Sequence, residues 1–345
     1  MKLKNKKILF ICGAKGSYVR NKLIYDFLCE NNEVEKISSE LNFYFCRIPI
    51  LIIKFLFRKK KNFDYIFAGF FAQPLVVCLS RTTDKPIISD MFVSAYDTLC
   101  FDRKKIKQAS FLGKFLFWID KKTLDLSELV ITDSKANSKY FQTIFNAPPN
   151  KLKTVYLGAQ TDIFYPRNDA KKEKNNFTVF YYGSVLPLHG IDIILEAAKL
   201  TEKEKIDFIL VGPIEKHFKK LINRLKLTNV QFIAWIGYKA LPEYIDNANI
   251  CLGGPFGTTP KAQRVIAGKT YQFAAMKKPL ILGDSIANRE LFTHEKNCLF
   301  VKMGDECKLA EAIIKLKNNK ELGGQIAQNA YQMIFNLQNQ KIKIQ

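Results

Sequence analysis

A short glycine loop near the middle of the chain has the residue types that bind an anion. The loop begins at Gly183 and ends at His189 and Gly190. β-forming residues precede it, and the apolar residues that follow recur at the spacing of one helix face: Ile191, Ile194, Leu195 and Ala198. A strand, a glycine loop and a helix in this order direct backbone N–H groups and a helix N-terminus toward an anion. The segment therefore predicts a phosphate-binding turn, although its spacing matches neither GxGxxG nor a Walker loop.

Two acidic residues lie where a parallel sheet would present them to a ligand. Asp90 ends a run predicted as a strand, Pro86–Asp90, and Asp97 follows seven residues later. In open α/β sheets, ligands bind beyond the carboxyl ends of the strands. Asp90 is therefore a candidate for orienting a reacting hydroxyl or taking its proton, with Asp97 as the next candidate. The alternative is structural, with Asp90 capping the turn that follows.

Length and composition bound the architecture that must position these residues. A chain of 345 residues exceeds what one core usually holds, so two domains are expected. Hydrophobic residues make up 48% of the sequence, which excludes a disordered chain. The net charge is +22, of which residues 1–165 hold +12 and the remainder +10. This excess favours anionic partners, namely nucleotides, nucleic acid or an anionic membrane.

The cysteines and the N-terminus favour a cytoplasmic protein. Eight cysteines are scattered without a CxxC pair or a Cys/His cluster, which predicts reduced thiols. Lys2–Lys7 is basic, but the apolar run Ile8–Ile11 ends in a glycine turn, unlike a secretory signal. No stretch approaches the roughly 18 uncharged apolar residues of a spanning helix.

Two basic and aromatic segments predict either ordinary crossover helices or helices on a membrane surface. The first is Pro49–Lys61, with Pro49 in its first turn and a basic stripe: Lys54, Arg58 and Lys61. The second is Arg103–Lys122, with one basic and one aromatic stripe: Lys107, Lys114 and Lys121, and Phe111, Phe115 and Trp118. Basic and aromatic residues together favour anionic headgroups.

The order of the motifs resembles the GT-B glycosyltransferases, specifically family 4, also called group 1. The glycine loop, with Gly183, His189-Gly190 and the helix pair Ala197-Ala198, is similar to the start of that family's C-terminal domain. Thr161–Pro166 is similar to the family's domain-crossing motif. Later segments follow in the family's order, so that the resemblance extends to Leu316.

This resemblance implies an α/β fold of the GT-B type, with two Rossmann-like domains that face each other across a cleft. The N-terminal domain would span residues 1–166 and bind the acceptor. A polar linker, 167–176, would lead to a C-terminal nucleotide-sugar domain, 177–325. Residues 326–345 would form a helix that returns to the N-terminal domain.

The resemblance also implies which loops bind substrate. In the first domain, Gly13 and Gly16 would let substrate approach the backbone and Arg20 would supply charge, although an ordinary βα turn is the alternative. In the second domain, the main chain at Trp235 and Ile236 would contact the nucleotide base. The other candidates are residues of the glycine-containing loops: Gly183, Ser184, Gly190 and Gly212.

One segment departs from the family pattern at two positions. Family members usually carry two Glu separated by seven residues, and Arg264 and Gln272 occupy these positions here. The Gln272 carbonyl can still accept hydrogen bonds from ribose hydroxyls, whereas Arg264 cannot act as an acceptor. The departures resemble a variant within the group, with a non-catalytic homologue as the alternative.

The cations of the predicted donor site also lie at other sequence positions than those of the family. The family's glycine loop usually supplies an Arg and a Lys, where this chain has Ser184 and His189. We expect the leaving diphosphate to be held instead by three cations within nine residues: Lys261, Arg264 and Lys269. His189, at the start of the helix, would assist when protonated.

Together these features predict a glycosyltransferase that uses a nucleotide-diphosphate sugar, retains configuration and needs no metal or other cofactor, since basic residues stabilise the diphosphate. The expected acceptor is a lipid-linked or surface-polysaccharide precursor, as in lipopolysaccharide synthesis, at the cytoplasmic face of an anionic membrane. A nucleotide-dependent oxidoreductase would need a GxGxxG loop, and neither glycine loop has that form. A nucleic-acid-binding protein would need a clustered basic patch or a reader motif, and the charge is shared by both halves.

Overall fold

The computed structural model of the chain describes residues 4–14, 16, 18–41, 43–58, 62–167 and 176–339. The chain divides into two compact units, which hold the described residues of 4–157 and of 158–339. The predicted first domain ended at residue 166, so residues 158–166 fall with the second unit in this division.

The first unit is an α/β layer with a six-stranded sheet. Its elements are β1 (Lys7–Cys12), α1 (Val19–Cys29), β2 (Glu33–Ile37), α2 (Tyr44–Arg58), β3 (Tyr65–Gly69), α3 (Gln73–Leu79), β4 (Ile87–Asp90), α4 (Phe111–Leu126), β5 (Leu129–Thr132), α5 (Lys135–Phe145) and β6 (Leu152–Thr154). The strand order is β2-β1-β3-β4-β5-β6, and every pair is parallel.

Strand β1 shows why helices cover both faces of this sheet. Its side chains alternate between the two faces, as in any strand. Ile8 and Phe10 pack with residues of α1, whereas Leu9 and Ile11 pack with residues of α2 and α3. A strand that is buried on both sides reads as a continuous apolar run, which is what the sequence shows at Ile8–Cys12.

The second unit repeats this design. Its elements are β7 (Phe177–Tyr182), α6 (Ile191–Leu200), β8 (Ile206–Val211), α7 (Ile214–Leu225), β9 (Val230–Ile233), α8 (Leu241–Asp246), β10 (Ile250–Leu252), α9 (Gly268–Ala275), β11 (Leu280–Gly283), β12 (Leu299–Val301), α10 (Glu306–Asn318) and α11 (Lys320–Asn339). The order is β12-β11-β10-β7-β8-β9, again fully parallel. The two six-stranded parallel sheets with flanking helices confirm two Rossmann-like domains.

Helix α2 differs from its prediction at the start. It begins at Tyr44, so Pro49 lies inside the helix and not in its first turn. An internal proline costs about 3 kcal/mol because a backbone hydrogen bond is lost. Leu51 and Phe55 are buried in the core, and burial of each such side chain contributes about 1.5–3 kcal/mol. The apolar face of the helix therefore outweighs the proline, and the predicted Lys61 lies outside the described residues.

Helix α4 also differs, and this changes its predicted basic stripe. Ser110 is the N-cap, since its hydroxyl accepts a hydrogen bond of 3.1 Å from the Gly113 N–H. The helix therefore begins at Phe111, and Lys107 lies before it. The prediction that Lys107 shares one helical stripe with Lys114 and Lys121 is wrong, because the cap ends the helix first.

Helix α11 begins six residues earlier than predicted, at Lys320. Within the described residues it packs against α9, α10 and β11, which belong to the second unit. The return of residues 326–345 to the first domain stays a prediction. Among the described helices, none combines the length and apolarity that a membrane crossing requires.

Candidate functional site

The strand order places the predicted glycine loop at a topological switch point. In the second sheet, the chain starts at β7 in the centre and then continues outward on either side, so that β7 and β10 are neighbours. Ligands of open α/β sheets bind where the order reverses, outside the carboxyl ends of the strands. The loop after β7 and the loop after β10 both begin at the carboxyl ends of these two neighbouring strands. The structure thus brings the two predicted donor loops together.

Gly190 joins these two loops by close backbone packing. It is the N-cap of α6 and has a left-handed backbone, with φ of +61°. A Cβ atom at this position would lie 2.5 Å from the Gly257 nitrogen and 2.6 Å from the Phe256 carbonyl carbon. The Gly257 N–H donates a 3.0 Å hydrogen bond to the Leu188 oxygen, which holds the loops in this arrangement. Only glycine satisfies both the backbone angle and the contact.

Lys269 lies beneath the glycine loop. It occupies the first turn of α9, its side chain is buried, and its Nζ lies 3.9 Å from the centre of the Tyr181 ring. A Cβ atom on Gly183 would lie 2.9 Å from this Nζ and 3.0 Å from the Tyr181 Oη. Among the described residues, neither atom has a hydrogen-bond partner. Burial lowers the pKa of Lys269 well below its usual value.

The surroundings of His189 affect its charge, and its predicted role requires the protonated form. Its Nδ1 is buried and, within the described part of the chain, has no hydrogen-bond partner. Burial is the main cause that lowers the pKa of His189 well below its usual value, and the charge of Lys269 is the second. Burial thus disfavours the protonated form that the predicted assistance requires, and the role of His189 stays a prediction.

Gln272 lies in a chain of hydrogen bonds between side chains. Its Oε1 accepts from the Tyr182 hydroxyl, and its Nε2 donates to the Tyr238 oxygen at 3.0 Å. The Tyr238 hydroxyl in turn donates to the Gln160 Oε1 at 2.9 Å. Both ends of the amide are thus engaged by protein groups, which fixes the orientation of Gln272. Its predicted role with ribose hydroxyls stays a prediction.

The other predicted donor residues lie on loops at the carboxyl ends of β7, β8, β9 and β10. Gly212 abuts Gly183, because its Cβ would lie 2.2 Å from the Gly183 oxygen. Trp235 is 79% exposed, whereas Ile236 is half-buried. Lys261 is buried and Arg264 is half-buried in the loop between β10 and α9. Ser184 is exposed beside Gly183.

In the first unit, Asp90 forms a buried ion pair with Arg20. The Arg20 Nε donates to Asp90 Oδ2 at 2.8 Å, and its second terminal nitrogen donates to Oδ1 at 2.7 Å. Both side chains are almost fully buried, and the guanidinium lies 4.7 Å from the centre of the Phe92 ring. The pair ties the start of α1 to the end of β4. This geometry favours a positioning role for Asp90 over proton transfer, which stays a prediction.

Two further buried carboxylates hold the loops around this pair. Asp120 accepts hydrogen bonds from the Ser94 hydroxyl at 2.6 Å and the Tyr96 N–H at 2.9 Å, and burial raises its pKa to about 6. Asp133 accepts from the Asn137 amide at 2.8 Å, and burial raises its pKa to about 6 although Arg20 opposes the shift. Asp97 is buried in the loop that Asp120 anchors.

Gly13 and Gly16 have packing reasons for lacking a side chain. A Cβ on Gly13 would lie 1.8 Å from the Phe71 oxygen, and one on Gly16 would lie 3.0 Å from the Ser38 side chain. The Gly16 N–H donates to the Glu40 carboxylate at 3.0 Å. The ordinary βα turn, which was the alternative interpretation, accounts for both residues.

Sequence reasoning missed an aromatic cluster at the carboxyl edge of the first sheet. The Phe70 ring lies 4.7 Å from Tyr18 and 4.5 Å from Phe92 between ring centres. The three residues follow β1, β3 and β4, so only the strand order brings them together. Sequence reasoning also missed Tyr181 and Asp120. Asp120 could have been found, because it is an acidic residue on the apolar face of a predicted helix. Among the described residues, no group of three or more His, Cys, Asp or Glu could hold a metal ion.

Comparisons with known proteins agree with this architecture. Sucrose-phosphate synthase from Thermosynechococcus elongatus superimposes with a TM-score of 0.79 at 15% identity, covering 96% of this chain and 95% of that chain. HepE from Anabaena, in complex with UDP-glucose, gives 0.71 at 17% identity, covering 97% and 98%. A glycosyltransferase from Rickettsia africae ESF-5 gives 0.67 at 14% identity, covering 97% of each chain. At these identities the likeness concerns the fold.

The sequence comparison adds the family. Residues 165–333 match the family model described as glycosyl transferases group 1. No curated protein sequence gives a significant match to the chain. The matched residues make up nearly all of the second unit and include both loops at the switch point. The second unit is thus of the group 1 type, and the chain is a glycosyltransferase with the GT-B fold.

Proposed function

We propose that this glycosyltransferase moves a sugar from a nucleotide-diphosphate sugar to a lipid-linked or surface-polysaccharide acceptor, with retention of configuration and without a metal. The observation that carries the donor class is the switch point, where Gly190 at the N-terminus of α6 packs on the loop after β10 and the buried Lys269 Nζ lies beside Gly183. A diphosphate satisfies both a helix N-terminus and a cation. HepE from Anabaena, which has the same fold, has been solved with UDP and with UDP-glucose.

In this proposal the second unit binds the donor. The backbone at Gly183, Ser184, Gly190 and Gly212 contacts the phosphates. The exposed Trp235 and the main chain of Ile236 contact the base, and Gln272 contacts the ribose. Lys261, Arg264 and Lys269 neutralise the leaving diphosphate as the bond to the sugar breaks, which is the charge that the transition state develops.

The first unit binds the acceptor in this proposal. Its aromatic cluster, Tyr18, Phe70 and Phe92, lies beside the Arg20–Asp90 pair at the edge where ligands of parallel sheets bind. Asp97 and the loop held by Asp120 lie at the same edge. These side chains offer the mixture of apolar faces and a few fixed polar groups that sugar-bearing ligands need.

Thermal stabilisation by a panel of nucleotide sugars tests the donor class. One member of the panel is expected to raise the melting temperature, since a ligand at 100 times its Kd stabilises by about 2.7 kcal/mol. That member should also release its nucleoside diphosphate when acceptor glycolipids are added. Stabilisation without any transfer would favour a non-catalytic nucleotide-sugar-binding protein. No stabilisation by any member would contradict the proposal.

Arg264→Ala is expected to reduce turnover by roughly 10²-fold at saturating donor. The reason is the loss of a planar cation that holds two phosphate oxygens at once, an effect of about 3 kcal/mol on the transition state. Arg264→Lys should recover only part of the rate, because an ammonium cannot form two parallel bonds. The measurement is the initial rate of nucleoside diphosphate release. Unchanged rates in both variants would place the diphosphate elsewhere.

The membrane part of the proposal rests on two exposed apolar stripes. On α2, exposed residues three or four positions apart form one stripe, with exposed Leu56 beside it: Cys46, Pro49, Ile53 and Phe57. On α4 they are Phe111, Leu112, Phe115 and Trp118. Phe57 is 84% and Phe111 is 88% exposed, and both helices contact α3. Monomeric proteins rarely expose such stripes without a partner.

The charges near these stripes favour anionic lipid as the partner. Lys107 and Lys114 are exposed beside the aromatic residues of α4. On α2, however, Lys54 donates to the Ser38 oxygen at 3.0 Å and Arg58 pairs with Glu35. These two cations of the predicted stripe are therefore held by the protein itself. We propose that α4 supplies the charge and that both helices supply apolar contact.

Binding to vesicles that contain about 30% anionic lipid tests the membrane contact. Phe57→Ser with Phe111→Ser is expected to weaken binding by roughly tenfold or more, because exposed apolar surface no longer enters the interface. Lys107→Glu with Lys114→Glu should weaken it roughly fivefold per lysine, and only at low salt. Leu200→Ser, which removes an exposed apolar residue of the second unit, is the matched control. Wild-type protein that ignores such vesicles at low salt would exclude the contact.

A further inference from the structure

Three buried polar atoms in and beside the glycine loop have no hydrogen-bond partner among the described residues. They are the Tyr181 Oη, the His189 Nδ1 and the Lys269 Nζ, which we call the Tyr–His–Lys cluster. More than nine-tenths of buried polar groups in folded proteins are hydrogen-bonded. Three unsatisfied groups at one place therefore indicate that a ligand, and not the protein, supplies the partner.

The three side chains come from three different elements and lie near one another, with Tyr181 between the other two. Tyr181 lies on β7, His189 in the loop before α6 and Lys269 on α9. The Lys269 Nζ and the Tyr181 Oη both lie about one hydrogen-bond length from the bare side of Gly183, as its absent Cβ would be 2.9 and 3.0 Å away. The Tyr181 and His189 rings meet edge to face, with 6.4 Å between their centres. Ser184, the residue that follows Gly183 in the chain, is exposed to solvent.

The cluster contains potential donors and no acid. Lys269 donates through its ammonium, Tyr181 through its hydroxyl, and a neutral imidazole through Nδ1 when the hydrogen resides there. Burial lowers the pKa of Lys269, and no nearby charge is among the causes of this shift. A set of donors without a carboxylate suits an anion and not a cation.

The same arrangement is costly while the site is empty. A buried ammonium without a partner is strongly destabilising, and such a lysine instead remains neutral. The ring of Tyr181 below Nζ offsets only part of that cost. A phosphate oxygen bound beside Nζ would shift Lys269 from its neutral to its charged form, because a buried ion pair with additional hydrogen bonds favours the charged form.

We propose that the Tyr–His–Lys cluster binds one anionic oxygen of the donor's diphosphate and that Lys269 takes up one proton from solvent when this oxygen arrives. This inference rests on the proposed donor class. The proton adds to the Nζ lone pair, so that the bound state holds an ammonium against a phosphate oxygen, with Tyr181 and His189 as further donors. Donor binding and proton uptake are then one linked equilibrium.

Calorimetric titration at pH 8 tests the inference. The probes are UDP, GDP, CDP and ADP, and the tightest of these is titrated in two buffers that differ in ionisation enthalpy. At this pH the terminal phosphate, with a pKa near 6, is already deprotonated and contributes little. Wild-type protein is expected to take up about one proton per nucleotide bound. If none of the four binds, the proposed function fails together with the inference.

Lys269→Met separates a binding role from a packing role. It should lower nucleotide affinity roughly 10- to 100-fold and abolish proton uptake, because a charge-assisted bond is lost. It should leave the melting temperature of the free protein unchanged or higher, since an unsatisfied polar group gives way to an apolar one. Tyr181→Phe should lower affinity several-fold and keep proton uptake. Lys277→Met, an exposed lysine near the end of α9, is the matched control and should change neither.

The outcomes decide between the alternatives. Unchanged affinity with a lower melting temperature in Lys269→Met would show that the lysine only packs on Tyr181, and would overturn the inference while the donor class stands. Reduced affinity with undiminished proton uptake would move the proton to another group and overturn the linkage. Reduced affinity without proton uptake, in a protein as stable as the wild type, would support both parts.

Discussion

Arg20→Met is expected to lower the free energy of unfolding of the first unit by about 3–5 kcal/mol at pH 7. Asp90 is then left as a buried carboxylate that has lost three hydrogen bonds from one guanidinium. The loss exceeds that of a surface pair because water cannot replace the missing partner. Lys22→Met on the same helix removes the exposed Lys22–Asp26 pair and should cost no more than about 0.5 kcal/mol.

The pH dependence of this variant has a defined sign. Without Arg20, Asp133 loses the charge that now opposes its raised pKa of about 6. Groups whose folded-state pKa lies above the unfolded value stabilise the fold at low pH and lose this contribution as the pH rises. The deficit of Arg20→Met should therefore shrink as the pH falls from 7 toward 4.

Urea unfolding followed by tryptophan fluorescence at both pH values measures this difference, with Lys22→Met in parallel. A deficit below about 1 kcal/mol at pH 7 would mean that the pair is not a structural tie. Asp90 would then be available to act on the acceptor, as its position at the end of β4 predicted. The double variant Arg20→Met with Asp90→Asn should recover part of the loss, because the unpaired charge is removed.

Gly190→Ala is expected to cost the second unit about 2–5 kcal/mol and to weaken nucleotide binding in proportion. Two effects add. An alanine at φ of +61° is strained by about 1–2 kcal/mol. Its Cβ would also lie 2.5 Å from the Gly257 nitrogen, and backbone atoms cannot move aside as a side chain does, so overpacking adds about 1–3 kcal/mol.

Gly324→Ala is expected to have the opposite effect on stability. Gly324 lies within α11, is exposed, and has no atom within 4 Å of the place where a Cβ would be. An alanine there should stabilise the protein by about 0.5–1 kcal/mol, because the unfolded chain loses freedom and nothing is displaced. Thermal unfolding and nucleotide titration of both variants test the pair. Equal melting temperatures would show that the two donor loops are not locked together at Gly190.

The sequence alone determined the elements that depend on local pattern. The helix face of Ile191 to Ala198 and the glycine loop between strand and helix form as predicted, and the apolar run Ile8–Cys12 forms a strand. These elements depend on periodicities of two and 3.6 residues and on the residue types of turns, all of which can be read directly from the amino-acid sequence. The same features, in their order along the chain, were sufficient to indicate two Rossmann-like domains of the GT-B type.

Tertiary structure decided which side chains meet. Arg20 and Asp90 are 70 residues apart and pair only because β1, β3 and β4 are neighbours. Lys269 was predicted as one of three loop cations, yet its Nζ lies buried against Tyr181, a strand residue that the sequence did not single out. His189 was predicted to assist when protonated, and its burial lowers its pKa and so disfavours that form. The charge state of a group is set by the atoms packed around it, and these come from distant parts of the chain.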